Sequence, residues 1–193
     1  MVIYIVLTII IILLFIIFKL EKHEVKYVKS NINNVEYLVR DVPDKQQAAD
    51  MLGQINVNIN KFIDYVYANK DNKDFVANKQ YIEQLQDRIK NVIISESSAD
   101  SSYTSYSINK GEQLVFCLRS KYTGSLHDIN LLMYVVLHEL SHVGCPEYGH
   151  GDLFKKIFAF FANCGTKCGI YRRIDFNNNS EEYCGLTISE SII

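Results

Sequence analysis

The sequence predicts an α+β protein: a single transmembrane helix, then one domain of short strands and amphipathic helices. Three observations carry this. Val2–Phe18 is a run of seventeen residues without a charge. Beyond it, stretches with apolar residues at spacings of three and four alternate with short stretches that alternate residue by residue. The 193-residue length leaves enough chain after the apolar run for one complete core, and not for several.

Composition narrows the class further. A hydrophobic fraction of 48% excludes wholesale disorder, and two prolines with nine glycines exclude collagen-like and proline-rich chains. A net charge of −2 and a pI near 6.2 supply no basic field, so nucleic acid is not expected as a partner. Five cysteines are too few for a disulfide scaffold, and their odd number leaves at least one thiol unpaired in a monomer.

At a rise of ~1.5 Å per residue the run Val2–Phe18 reaches about 26 Å, close to the ~30 Å hydrocarbon core of a bilayer. It lacks the basic n-region and small-residue cleavage site of a signal peptide, and it has no polar face like that of a core helix. Residues 1–18 are therefore expected to anchor the chain in lipid. Lys19, Lys22, Lys26 and Lys29 follow the run and no basic residue precedes it, which places the remainder on the cytosolic side of a single-pass membrane protein. The charged stretch 19–34 reads as a juxtamembrane stalk, and 35–193 as the folded domain.

Within that domain, Val35-Glu-Tyr-Leu-Val39 alternates like a short strand. Asp41-Val-Pro-Asp44 reads as a turn with Asp44 as a helix N-cap. Ala48, Met51, Leu52, Ile55, Ile59, Phe62, Ile63 and Val66 then form one stripe of a long helix over about 45–68. A polar loop follows, and Tyr81, Ile82, Leu85 and Ile89 mark a second helix. The serine-rich stretch from Ser95 to Ser102 reads as an exposed loop. Tyr103–Ser107 and Gln113–Leu118 read as strands joined by a hairpin at Asn109-Lys-Gly111. Asp128 is placed to cap a third helix through Leu131, Leu132, Val135 and Val136.

That third helix carries His138-Glu139-Leu-Ser-His142, the pattern H-E-x-x-H. Histidines at i and i+4 share a helix face, so both imidazoles can reach one metal ion with bonds of ~2.0–2.1 Å. Glu139 follows the first ligand and can accept a proton from water beside the ion. A catalytic zinc normally keeps three protein ligands and an open fourth position. His150 is the leading third ligand: Val143-Gly144 can end the helix with a left-handed cap, and Cys145-Pro-Glu-Tyr-Gly149 can turn the chain back. Cys145, Glu147, Glu181 and Glu182 remain alternatives. Leu153, Phe154, Ile157, Phe158 and Phe161 mark a further helix just after His150.

His138-Glu-Leu-Ser-His142 followed by Glu-Tyr-Gly-His150-Gly-Asp-Leu-Phe154 resembles the WLM and SprT-like zinc metallopeptidases, as does the upstream strand Lys110-Gly-Glu-Gln-Leu-Val-Phe-Cys-Leu-Arg119. The resemblance covers about residues 103–162. It implies a minimal zincin-like α+β fold, a small sheet plus an active-site helix. It also implies Zn²⁺ held by His138, His142 and His150, Glu139 as the catalytic residue that activates water, and a protein or peptide substrate. Some members of that family cleave proteins crosslinked to DNA; a chain without a basic patch gives no reason to carry that substrate over. The metzincin pattern is not met, because Cys145 and Tyr148 stand where it has glycine and histidine. Large DNA viruses carry WLM-like proteins, and runs such as Asn56 to Lys61 suit an AT-rich genome. A second expectation is therefore a scaffold protein of a membrane-containing virion, with assembly or capsid partners.

The remaining features are weaker. Cys164 and Cys168 lie four apart and Cys184 beyond them; buried thiols, a disulfide from Cys184 to one of the pair, and half a metal site all fit. Asn178-Asn-Ser180 is a glycosylation sequon. Tyr148 and Tyr171 could stabilise an oxyanion, among thirteen tyrosines that dilute the choice.

Overall fold

The computed structural model describes residues 25–193. Strand β1 (Val25–Lys29) pairs antiparallel with β2 (Glu36–Arg40). Helix α1 (Lys45–Asn69), a 3₁₀ turn (Val76–Asn78) and α2 (Lys79–Ile89) then cross over to β3 (Ile93–Glu96), which runs parallel to β2. The hairpin β4 (Tyr106–Ile108) and β5 (Gln113–Phe116) adds β5 parallel to β3 and leaves β4 at the sheet edge. The five strands lie in the order β1-β2-β3-β5-β4. Two long helices follow, α3 (Ile129–Gly144) and α4 (Asp152–Lys167), and then a separate hairpin of β6 (Glu181–Tyr183) and β7 (Leu186–Ile188).

The stripe expected on α1 is its core face: Ala48, Leu52, Ile55, Ile59, Phe62, Ile63 and Val66 are all buried, and Met51 is partly so. It packs against β1, β2 and β3, and Phe62 meets Phe161 of α4 edge-to-face at 5.4 Å. Helix α3 packs against both α2 and α4. From Leu131 to Gly144 every residue of α3 is buried except His138 and His142, so this helix is central and, beyond its first two residues, opens to solvent only at its histidines.

A buried ion network joins the sheet to the helical layer. Arg119 donates from Nε to Glu96 at 2.8 Å and from Nη1 to Asp44 at 2.6 Å, while the Arg40 backbone N–H donates to the other Glu96 oxygen at 2.8 Å. The Glu96 side chain is wholly buried, which is tolerable only because both its oxygens are paired. Three expectations change here. Ser95, Glu96 and Ser97 are buried at the end of β3 rather than in an exposed serine loop. Asp44 precedes α1 but makes no side-chain cap, because its carboxylate is committed to Arg119. Cys184 pairs with neither Cys164 nor Cys168, which are free thiols. It forms a disulfide with Cys117, 67 residues away, and fastens the β6–β7 hairpin to the end of β5.

Fold class and localisation are also corrected. Among the described residues no helix is long and apolar enough to cross a membrane. The longest, α1, carries polar residues along its outer face, and the most apolar, α3, has only 16 residues, about 24 Å of helix. The described residues form a mixed α/β domain with a partly parallel five-stranded sheet and four helices, in place of a minimal α+β domain, and the single-pass assignment is corrected to this extent, that no described helix spans a membrane. The run Val2–Phe18 lies outside the described residues. Val25–Lys29, in the stretch read as a stalk, is edge strand β1, whose exposed Lys26 and Lys29 are part of that stretch's charge.

Two expectations for stability follow from these links. Replacing Cys117 and Cys184 together by serine should lower unfolding free energy by about 2–4 kcal/mol, read as a lower denaturant midpoint. The Arg119 guanidinium, hydrogen-bonded to Asp44, holds that carboxyl below its usual pKa. Its contribution is therefore complete above the unfolded aspartate value of about 3.9 and is lost as pH falls through the lower folded value. Asp44→Asn should destabilise at pH 6 and converge on the wild type in acid, in denaturant titrations run across pH.

Candidate metal centre

Local chemistry fixes the two helical histidines. The Asp128 carboxylate caps α3, accepting from the backbone N–H groups of Asn130 at 2.8 Å and Leu131 at 3.4 Å, so the helix starts where the sequence places it. One turn apart on its open face, His138 and His142 bring their Nε2 atoms to 3.1 Å. The helix ends at Gly144 without the expected left-handed cap; Cys145 is extended, at φ −82°. Glycine serves there for close approach, since a Cβ would lie 3.1 Å from the Tyr81 carbonyl oxygen and 3.2 Å from the Phe161 ring. The left-handed residue is Gly149 at φ +79°, which turns the chain into His150.

His150 returns over the helix, its Nε2 lying 3.0 Å from that of His142 and 3.1 Å from that of His138. Phe154 of α4 lies against all three imidazoles: it stacks on His142 at 4.2 Å and meets His138 at 4.9 Å and His150 at 4.8 Å. Burial lowers the pKa of His138 to about 3 and of His142 to about 4, with the neighbouring imidazoles adding to the effect. Both rings are thus neutral near pH 7, the form that ligates metals. Three ring nitrogens aimed at one another cannot all be satisfied by one another's protons, whereas a cation between them meets all three lone pairs. The donor set fits such an ion: imidazole suits zinc, copper, iron and nickel. Among the described residues this is the one histidine, cysteine and carboxylate cluster that could hold a metal.

Glu139, next to His138, is buried, and no hydrogen bond or ion pair engages its carboxylate among the described residues. Burial pushes its pKa up to about 7. It lines, together with the three histidines, a cleft of about 830 Å³. One wall of that cleft is apolar, from Tyr134, Val135 and Phe158 on the helices and Leu186 and Ile188 on β7; the sheet edge β4 contributes Tyr106 and Ser107. His150 is exposed, so the cluster is open to solvent.

The alternatives fall elsewhere. Cys145 is buried, and Glu147, Glu181 and Glu182 stand outside the cluster. Tyr148 is exposed at the mouth of the cleft, whereas Tyr171 is buried against Tyr134 and its hydroxyl oxygen accepts the Ile174 N–H at 3.0 Å. A residue that the sequence did not single out lines the same cleft. Tyr183 is buried, interacts electrostatically with Glu139, and bonds through its hydroxyl to Ser105 Oγ. Its position depends on the neighbouring Cys117–Cys184 disulfide, a pairing invisible to local spacing.

A helix bearing H-E-x-x-H and a third histidine returning across it define the class: a domain with a three-histidine site able to hold one metal ion. No family model matches the chain. It is 46% identical over 175 residues, 91% of its length, to the uncharacterized protein R325 of Acanthamoeba polyphaga mimivirus, and covers 88% of that protein. The chain belongs to the family of R325. It is also 26% identical over 146 residues to the uncharacterized protein 136R of Invertebrate iridescent virus 6, covering 74% of this chain and 79% of that one. Among solved structures, Wss1 from Saccharomyces cerevisiae aligns over 66% of this chain and 83% of its own, with 16% identity and a TM-score of 0.48.

His150→Ala should weaken metal binding by more than the 10–100-fold typical of groups that only support a ligand. A competition titration of zinc against a chromophoric chelator reads this directly.

Proposed function

We propose that this chain is a metal-dependent peptidase of the zincin type, with Zn²⁺ held by His138, His142 and His150. The observation that carries the reading is the convergence of three imidazole Nε2 atoms within 3.0–3.1 Å beside a buried, unpaired carboxylate in an open cleft. The H-E-x-x-H helix and returning histidine also support the resemblance to WLM and SprT-like metallopeptidases. When bound, the ion supplies Lewis acidity toward a scissile carbonyl and an attacking water.

The chain's own groups supply the rest. Glu139 is the general base: with no hydrogen bond or ion pair to break among the described residues, its carboxylate can take a proton from water and return it to the leaving amine. Its elevated pKa makes it a stronger base than a solvated glutamate, and a neighbouring dication would draw that value back down. The apolar wall offers surface to apolar side chains of a substrate. Edge strand β4 presents backbone groups that can pair with an extended segment, which favours a peptide over a small rigid substrate.

Glu139→Gln tests the assignment. It should retain about one zinc per chain, read by elemental analysis, while cleavage of an unfolded protein falls at least ~10²-fold. Zinc retained with cleavage undiminished would remove Glu139 from the chemistry. Absence of zinc from the wild type would overturn the metal assignment itself.

A further inference from the structure

The five carbonyls from Val143 to Glu147 run from the end of α3 into the loop that returns His150. Each accepts a side-chain hydrogen bond from another element. Arg88 Nη1 donates to Val143 O at 2.8 Å, and Gln84 Nε2 donates to Gly144 O at 2.8 Å; both residues are on α2. Lys110 Nζ donates to the carbonyls of Cys145 at 2.9 Å, Pro146 at 2.8 Å and Glu147 at 3.3 Å. An ammonium has three N–H donors, and this one spends all three on consecutive residues of one loop. The same nitrogen sits 4.2 Å from the centroid of the Tyr148 ring, so its grip extends to the residue before Gly149.

Lys110 is itself held in an unusual place. It forms the β4–β5 turn with Asn109, and both have left-handed backbones, at φ 52° and 48°. That turn carries the Lys110 side chain from the sheet to the loop. The last carbonyls of a helix and those of a short loop have no partners of their own, and a cation is the favourable group to supply them. Without it, the segment joining His142 to His150 would be tied down mainly at its two ends.

We propose that Lys110 is a positioning residue: by fastening the carbonyls of 145–147 it places His150 against His138 and His142, and so sets how tightly the site binds its metal. This rests on reading the three histidines as one metal site. Lys110 makes no hydrogen bond to a ligand, and its charge, which reaches His142, disfavours a cation there; its favourable effect on metal binding acts through the loop that ends in His150.

Two measurements on the full chain test it. Zinc is titrated against a competing chelator for the wild type, Lys110→Met, His150→Ala and the double variant. Lys110→Met should weaken zinc binding by about 10–100-fold, the range for groups that orient a metal ligand. The same substitution in the His150→Ala background should weaken it little further, because the two act through one ligand. Lys110→Arg keeps the charge but spreads its donors in a plane, and should give a smaller loss; it carries the test if the methionine variant does not fold. Equal losses in both backgrounds would assign Lys110 a general effect on the site and overturn the proposal, as would wild-type affinity in Lys110→Met.

The second measurement is amide hydrogen exchange in metal-free protein. Lys110→Met, or Lys110→Arg in its place, should speed exchange across residues 147–151 while leaving the middle of α3 unchanged. If the wild type binds no zinc, the metal reading fails and this arm alone decides whether Lys110 positions His150; unchanged exchange refutes that role.

Discussion

The domain turns on one electrostatic constraint: three imidazole nitrogens held about 3 Å apart around a common point. Among the described residues no group satisfies all three at once, so the surrounding structure has to enforce the arrangement. Two of the rings are fixed by helix geometry, since α3 is buried everywhere from Leu131 onward except where those rings emerge. The third is not local to the helix. It depends on the return of the chain at Gly149 and on α4, whose Phe154 packs against every ring of the cluster. The core's main task is thus to keep a polar cluster from relaxing, and its energy comes from the aromatic and aliphatic packing beneath.

The sheet contributes at a distance. The buried Glu96–Arg119–Asp44 network ties β3, the segment after β5 and the start of α1 together, which fixes the β4–β5 hairpin relative to the helices. From that hairpin Lys110 reaches the loop before His150, and at its far end Cys117 holds the β6–β7 hairpin that walls the cleft. The site therefore has a rigid half, built on α3, and a fastened half, built from segments held by a lysine and a disulfide. Catalytic groups are commonly placed on loops carried by such a scaffold.

How much of this was readable in the sequence follows from the range of the interactions. The stripe on α1, the Asp128 cap and the spacing of His138 and His142 are set within a turn or two of helix, and periodicity finds them. His150 needed only a short loop and a following apolar helix. By contrast, β1 and β3 are short strands whose lysines, serines and glutamate make them look like solvated chain. The burial of Glu96 rests on Arg119, 23 residues away, and β1 is a strand only through its pairing with β2. Cys117 and Cys184 lie 67 residues apart, so no spacing rule connects them, while Cys164 and Cys168 are the unpaired thiols that the sequence offered as one reading. Gly144 misled for a different reason: glycine before a turn signals a left-handed cap, but here the missing Cβ admits Phe161 and the Tyr81 carbonyl.

The β6–β7 hairpin has a consequence for the order in which the molecule matures. Chains emerge from the ribosome N-terminus first, and both strands of that hairpin follow α3, α4 and all three histidines in the sequence. The three histidines are therefore synthesised before Leu186, Ile188 and Tyr183, which form their side of the cleft. Closing that side further requires Cys184 to meet a cysteine made 67 residues earlier. The ligands are thus carried by an earlier part of the chain than one wall of the cleft, and the Cys117–Cys184 disulfide is the covalent link between the two.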